Sequence, residues 1–274
     1  RWTRPPLRGL SRTNLLEYRG ADGRIRVARK RSEWEQRKRE ALAGMQEVTG
    51  PVPGAEKRCP LEVTIEDEAD MGSYMRRSIV YSSEPGSRTP AFLCIPKAAL
   101  AGRRAPGVLC LHPTDDKNGY RVVVGLGGRA NRQYASELAE RGFVTISPAY
   151  VQLADYQPDI DRLGYASGTM KAIWDNMRAL DVLDETPQVR HGRYGAIGHS
   201  LGGHNAIYTA VHDVRIRAIV SSCGFDSFLD YYGGNIKGWV QPRYMMRMAR
   251  YVGRPEAVPF DFYELIAALA PRRV

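Results

Sequence analysis

The chain has 274 residues, 43% hydrophobic and 26% charged, with 40 basic against 30 acidic side chains and a formal net charge of +10. That is the composition of an ordinary globular protein of one or two domains with material for a sizeable core. No internal repeat, heptad array or run of 18 apolar residues is present, which excludes solenoid, coiled-coil and membrane-spanning helical readings.

Residues 1–28 are basic and broken by Gly and Pro, and predict an extended arm on the surface. The excess of positive charge concentrates near the start, between Arg24 and Arg39, but Glu33, Glu35 and Glu40 sit among these residues. Mixed signs at this spacing read as a solvated helix face, and with no nucleic-acid motif beside it no nucleic-acid partner is expected. The helix is predicted to start at Ser32, where Ser32 and Glu35 make a Ser-x-x-Glu capping box. Trp34, Leu42, Met45 and Val48 give it a partly apolar face, and Gly50-Pro-Val-Pro-Gly54 stops it. Residues 1–60 are therefore taken as an N-terminal arm and helix packed on a core domain of residues 61–274.

Within that domain, Leu61–Asp67, Tyr74–Ser83 and Ala91–Ile95 read as strands of an antiparallel start to a sheet. From Gly107 the pattern alternates. Strands are expected at Gly107–Leu111, Phe143–Ser147, Arg193–Ile197 and Ile216–Cys223. Helices are expected at Arg132–Arg141, Gly168–Asp184 and Leu201–His212. The strands are continuous apolar runs, as parallel strands covered on both faces should be, so the fold class is α/β with helices on both faces of a mostly parallel sheet. Cys59, Cys94, Cys110 and Cys223 show no Cys-x-x-Cys spacing, so neither a zinc nor a redox site is expected, and nothing assigns a compartment. The acidic pairs around Asp115 and Asp155 fit no calcium loop and read as surface loops.

Gly198-His-Ser-Leu-Gly202 matches Gly-x-Ser-x-Gly between an expected strand and an expected helix, the setting of a nucleophile elbow. Gly198 and Gly202 remove the Cβ atoms that would clash where strand and helix meet, and Ser200 is the predicted nucleophile. The oxyanion donors are expected to be the backbone N–H of Leu201 and, because Pro113 has none, that of Thr114 in the loop after Gly107–Leu111. Tyr150, Tyr156, Tyr165, Phe225, Tyr231 and Tyr232 fall near predicted carboxyl strand ends, where some should shape a pocket.

These segments resemble the α/β-hydrolase superfamily, in particular its dienelactone-hydrolase-like and acetyl-xylan-esterase-like branch. Arg-Ala-Leu-Asp181, Ile-Gly-His-Ser-Leu-Gly-Gly-His204, Val-Ser-Ser-Cys-Gly224 and Leu109-Cys-Leu-His-Pro-Thr114 carry the likeness, which spans nearly the whole chain. It implies a serine carboxylic-ester hydrolase acting through an acyl-enzyme on small acyl or acetyl esters, including those of carbohydrates, with no metal or organic cofactor. Triad order in this fold is Ser, then acid, then His. The resemblance places the acid and His beyond residue 274, along with the last strands and helices. Within the chain, Asp226 is the alternative acid and His112 the histidine that could line the pocket, while His204 and His212 follow Ser200 on a helix descending from the elbow. The other reading is a non-catalytic or truncated hydrolase-fold binding protein. A sheet edge at Leu269–Val274 would favour an oligomer.

Overall fold

The computed structural model describes residues 9–274. Strands β1 (Glu17–Arg19) and β2 (Ile25–Val27) form a small antiparallel hairpin ahead of helix α1 (Arg31–Thr49). An antiparallel meander follows, made of β3 (Thr64–Asp70), β4 (Tyr74–Glu84) and β5 (Ser87–Pro96). A single turn of helix, α2 (Lys97–Leu100), leads into β6 (Ala105–Leu111). Helices and strands then alternate: α3 (Tyr134–Glu140), β7 (Val144–Pro148), α4 (Gly168–Glu185), β8 (Val189–His199), α5 (Leu201–His212) and β9 (Ile216–Ser222). An irregular stretch of short 3-10 turns separates β9 from α6 (Phe262–Ala268).

The main sheet has the order β3-β4-β5-β7-β6-β8-β9. Pairing is antiparallel from β3 to β7 and parallel from β7 to β9, as expected for the α/β-hydrolase fold. The order explains where a site can form. The connection from β6 to β7 moves one way across the sheet, and those from β7 to β8 and β8 to β9 move the other way. Right-handed crossovers then put α3 on one face and α4 with α5 on the opposite face. The chain leaves the carboxyl ends of the neighbouring strands β6 and β8 in opposite directions, which opens a crevice between them.

The structure corrects several local expectations. The arm beyond the undescribed residues 1–8 is not merely extended, for it forms the β1–β2 hairpin and buries Leu10, Arg12 and Tyr18. Arg12 pairs with Asp261 at 3.0 Å in the interior. Helix α1 is capped at Lys30, not Ser32: the Glu33 carboxylate reaches back to accept the N–H groups of Arg29 (2.7 Å) and Lys30 (3.1 Å). Arg37 is not on a solvated face, because it is buried in an ion pair with Glu264 of α6. Met45 and Val48 do join the core cluster. In β9, Arg217, Ala218 and Val220 are exposed, so this strand is not covered on both faces. Its outer edge pairs in parallel with Arg273 at Ala218.

One buried polar network, unforeseen in the sequence, pins the β4–β5 hairpin to α4. The fully buried Lys171 ammonium lies 2.5 Å from Asp175 Oδ1 and 3.1 Å from Glu84 Oε1. Tyr156 donates to Asp175 (2.9 Å) and Tyr165 to Glu84 (2.7 Å), so each carboxylate in the low-dielectric interior has several partners.

Candidate active site

Ser200 stands between the last residue of β8 and the first of α5 with φ 54° and ψ −116°, a conformation that L-residues adopt only when their surroundings hold them there. Its N–H is held by Ser222 O at 2.8 Å, and its own carbonyl accepts the N–H of His204 at 3.1 Å. The glycines make the turn possible. A Cβ on Gly202 would lie 1.9 Å from Leu111 O, and one on Gly198 2.2 Å from the Gly202 carbonyl carbon. The expected elbow therefore forms, and the Ser200 side chain is exposed at the crevice between β6 and β8.

A cavity of about 390 Å³ opens over this serine. Thr114, Ser200 and Leu201 line one side, so the crevice brings together the predicted nucleophile and both residues expected to supply oxyanion donors. The loop after β9 contributes Gly224, Phe225 and Asp226, and the irregular stretch before α6 contributes Tyr231, Trp239 and Tyr244. Two buried anchors hold those loops. Asp261 caps α6 and accepts from Phe228 N (3.2 Å), Phe262 N (2.8 Å) and Ser227 Oγ (2.8 Å), fastening the loop beyond β9 to the start of α6. At α4, the N–H groups of Gly168 and Thr169 bond to the carbonyls of Pro242 and Tyr244, which sets the Tyr244 ring against the cavity. The Tyr244 hydroxyl then meets Thr114 Oγ1 at 3.0 Å.

The histidines fall into distinct roles. His112 does not line the main cavity. It is buried, with Nδ1–H donating to Pro113 O at 2.8 Å and Nε2 accepting from Tyr150 N at 2.9 Å. It thus ties the loops after β6 and β7, and burial pushes its pKa down to about 4. His199 bonds Ser222 Oγ through Nδ1 at 3.0 Å. His204 is on the cavity floor, and burial lowers its pKa to about 3, so it is neutral there. Neither His204 Nε2 nor the Trp239 indole N–H has a hydrogen-bond partner although both atoms are buried, and the two rings meet edge-on with centroids 5.1 Å apart. Among the described residues no histidine hydrogen-bonds the Ser200 hydroxyl. Asp226 faces the cavity, where its Oδ1 accepts from Ser227 N at 2.8 Å, and no histidine contacts it.

Of the aromatics expected at the strand ends, Phe225, Tyr231 and Tyr232 reach the cavity. Tyr150, Tyr156 and Tyr165 are buried elsewhere, the last two in the Lys171 network. Trp239 and Tyr244 were not anticipated. The density of aromatic residues between Phe225 and Tyr251 was the available signal, but no periodicity ties that stretch to an element. The acidic loops are occupied by local partners: Asp155 by Arg121, Asp116 by Arg243, and Asp115 by the backbone N–H groups of Lys117 and Asn118. Among the described residues no three His, Cys, Asp or Glu side chains gather where they could hold a metal ion.

Comparison with known proteins agrees with this architecture. The model of the dienelactone hydrolase family matches residues 90–235, which run from β5 through the elbow into the cavity loops. The uncharacterized protein PA2218 of Pseudomonas aeruginosa is 29% identical over 156 residues, covering 55% of this chain and only 37% of that relative's length. Among solved structures, a glucuronoyl esterase from Solibacter usitatus superposes with a TM-score of 0.69 at 20% identity, over 92% of this chain and 76% of that one. Acetyl xylan esterase 1 from Thermoanaerobacterium superposes with a TM-score of 0.54 at 19% identity, over 85% and 80% of the two chains. At these identities the structural likeness is one of fold.

Proposed function

Because the chain belongs to the dienelactone hydrolase family, we propose that it is a serine carboxylic-ester hydrolase whose nucleophile is Ser200. The observation that carries this reading is the strained Ser200 backbone, which sets an exposed hydroxyl beside Leu201 and Thr114 in the crevice between β6 and β8. A backbone is held in such a conformation at a cost of about 1–3 kcal/mol, and a plain strand–helix turn has no need of it.

In this mechanism the Ser200 oxygen attacks the ester carbonyl, and the N–H groups of Leu201 and Thr114 receive the oxyanion of the tetrahedral intermediate. The alcohol leaves with a proton, and water then releases the acyl group from Ser200. Removing the serine proton needs a base within about 3 Å or one water away. His112 and His204 are buried and neutral, His199 is held by Ser222, and none of the five histidines bonds Ser200. The base is therefore proposed to come from outside these 274 residues, with its orienting acid beside it or at Asp226.

The cavity supports a substrate class. Tyr231, Trp239 and Tyr244 offer ring faces on which a sugar-like ring can stack. Small acyl or acetyl esters of a hydroxylated ring, carbohydrate esters among them, fit this lining. The esterase names of the structural neighbours point to the same chemistry. The test is intact-mass measurement of the full-length protein after exposure to a fluorophosphonate, with Ser200→Ala alongside. One adduct lost in the variant is expected. No adduct would overturn the reading and favour a binding protein that keeps the elbow for structural reasons, the alternative raised by the lack of a described base at Ser200.

A further inference from the structure

Ser200 and Thr114 belong to two cavities. Besides the aromatic chamber, they line a second one of about 250 Å³ on the side of β6 and α3. Its character is different: Arg129, Arg132, His199 and Asp115 complete its polar wall. Outside its lining, Arg121 is neutralised by Asp155 at 2.7 Å and Arg243 by Asp116 at 2.5 Å. Arg129 and Arg132 line it, and among the described residues neither pairs with a carboxylate. Among the described residues the one side-chain bond of Arg132 is a long 3.4 Å one to the carbonyl of Asn131.

We propose that this second cavity is a carboxylate subsite, in which Arg129 and Arg132 hold the anionic end of an acyl group whose ester carbonyl lies at Ser200. The inference rests on the serine-esterase reading above and deepens it, by assigning the two chambers to the two halves of the substrate. The aromatic chamber receives the alcohol ring, and the cationic chamber receives a negatively charged acyl chain. Charge balance selects the kind of anion. Asp115 carries one negative charge, already committed to the N–H groups of Lys117 (3.0 Å) and Asn118 (2.7 Å). Burial and the positive charge of Arg132 both hold the pKa of His199 below its usual value, so it adds no charge at neutral pH. Two guanidiniums against one carboxylate leave a single positive charge, which a monoanion neutralises and a phosphate dianion would exceed. The planar forked donors of arginine also match a carboxylate in two parallel hydrogen bonds.

The test compares 4-nitrophenyl hydrogen glutarate with 4-nitrophenyl pentanoate, neutral and of equal acyl length, on the full-length protein. The charged ester is expected to have about tenfold or higher kcat/KM, given the strength of charge-assisted bonds at a partly exposed site. That ratio should fall toward one in Arg129→Gln/Arg132→Gln, should partly survive in the double lysine variant, and should shrink as salt rises. A ratio near one in the unaltered protein, or the same ratio in the double variant, overturns the subsite. A binding arm separates this from failure of the esterase reading. Ser200→Ala protein is titrated calorimetrically with monomethyl glutarate, dimethyl glutarate and inorganic phosphate. Arginine-dependent binding of the monomethyl ester alone upholds the subsite even if no ester is turned over. Preference for phosphate refutes the carboxylate assignment, and loss of Ser200-dependent hydrolysis of both esters refutes only the reaction.

Discussion

Gly202→Ala is the sharpest probe of how the elbow is built. The added methyl would sit 1.9 Å from Leu111 O, 2.5 Å from Leu111 C and 2.9 Å from His112 O, all backbone atoms that no rotamer change can move. Ordinary contact begins near 3.4 Å, so α5 must retreat from the end of β6 by about 1.5 Å. Overpacking of this kind costs about 1–3 kcal/mol. The larger consequence is geometric. Leu111 leads directly into the loop that carries Thr114, and α5 begins with Leu201, so the same retreat separates the two expected oxyanion donors. Misplacement by about 1 Å costs on the order of 100-fold in rate, and loss of one oxyanion donor about 100–1,000-fold. The assay is the rate of fluorophosphonate adduct formation at Ser200, read beside the urea midpoint. Gly195→Ala is the control, because a Cβ there meets Val108 at an ordinary 3.5 Å. Gly202→Ala is expected to label at least 100 times more slowly and to unfold at lower urea. A labelling rate within threefold of the unaltered protein at an unchanged midpoint would refute the argument that this close approach sets the site.

Stability should be lost with acid. His112 and His204 have folded-state pKa values of about 4 and about 3, below the unfolded histidine value, so their contribution is complete above pH ~6.5 and vanishes as pH falls through those values. The steepest dependence they produce is about 3 kcal/mol per pH unit between pH ~6 and ~4, and His204→Phe should remove about half of it. A urea midpoint flat from pH 6.5 to 4.5 would contradict the burial of both rings as neutral groups. Lys171→Met should destabilise by about 3–5 kcal/mol, since it leaves Asp175 and Glu84 facing each other in the interior. Adding Asp175→Asn should recover part of that loss, and a double-mutant cycle on denaturant midpoints that shows no coupling would argue against the network. Asp261→Ala should cost about 3 kcal/mol by breaking the buried pair with Arg12 and releasing Phe228 N. It should also speed proteolysis between Gly224 and Gly238, and an unchanged cleavage pattern would show that the loop is held by other contacts.

Local sequence carried the parts of this protein that depend on near neighbours along the chain. The continuous apolar runs at Gly107–Leu111 and Arg193–Ile197 mark strands because a parallel strand buried on both faces has no polar side to alternate. The Gly198–Gly202 motif marks the elbow because only glycine tolerates backbone atoms where these positions meet. Even the bounds of α5 could be read, between the strained serine and Asp213. Local patterns were less reliable at helix starts: Ser32 and Glu35 have the right spacing for a cap, but Glu33 reaches the free N–H groups instead.

What the tertiary structure alone decided is which distant residues meet. Arg37 lies within a run of alternating charge that reads as solvated, and it is buried because α6, more than 200 residues away, brings Glu264 to it. His112 could have pointed into the pocket or away from it, and the choice was made by Tyr150 N after a different strand. Trp239, Tyr244 and Arg129 come from irregular segments without periodicity, and Arg132, expected to open a helix, falls just before α3, so their positions around Ser200 follow from the crevice and from anchors such as Asp261 and Gly168. Short-range preferences specify elements, because a backbone hydrogen-bond ladder or a glycine turn is a local matter. A site assembled from four loops is specified only once the core has packed and fixed where those loops begin and end.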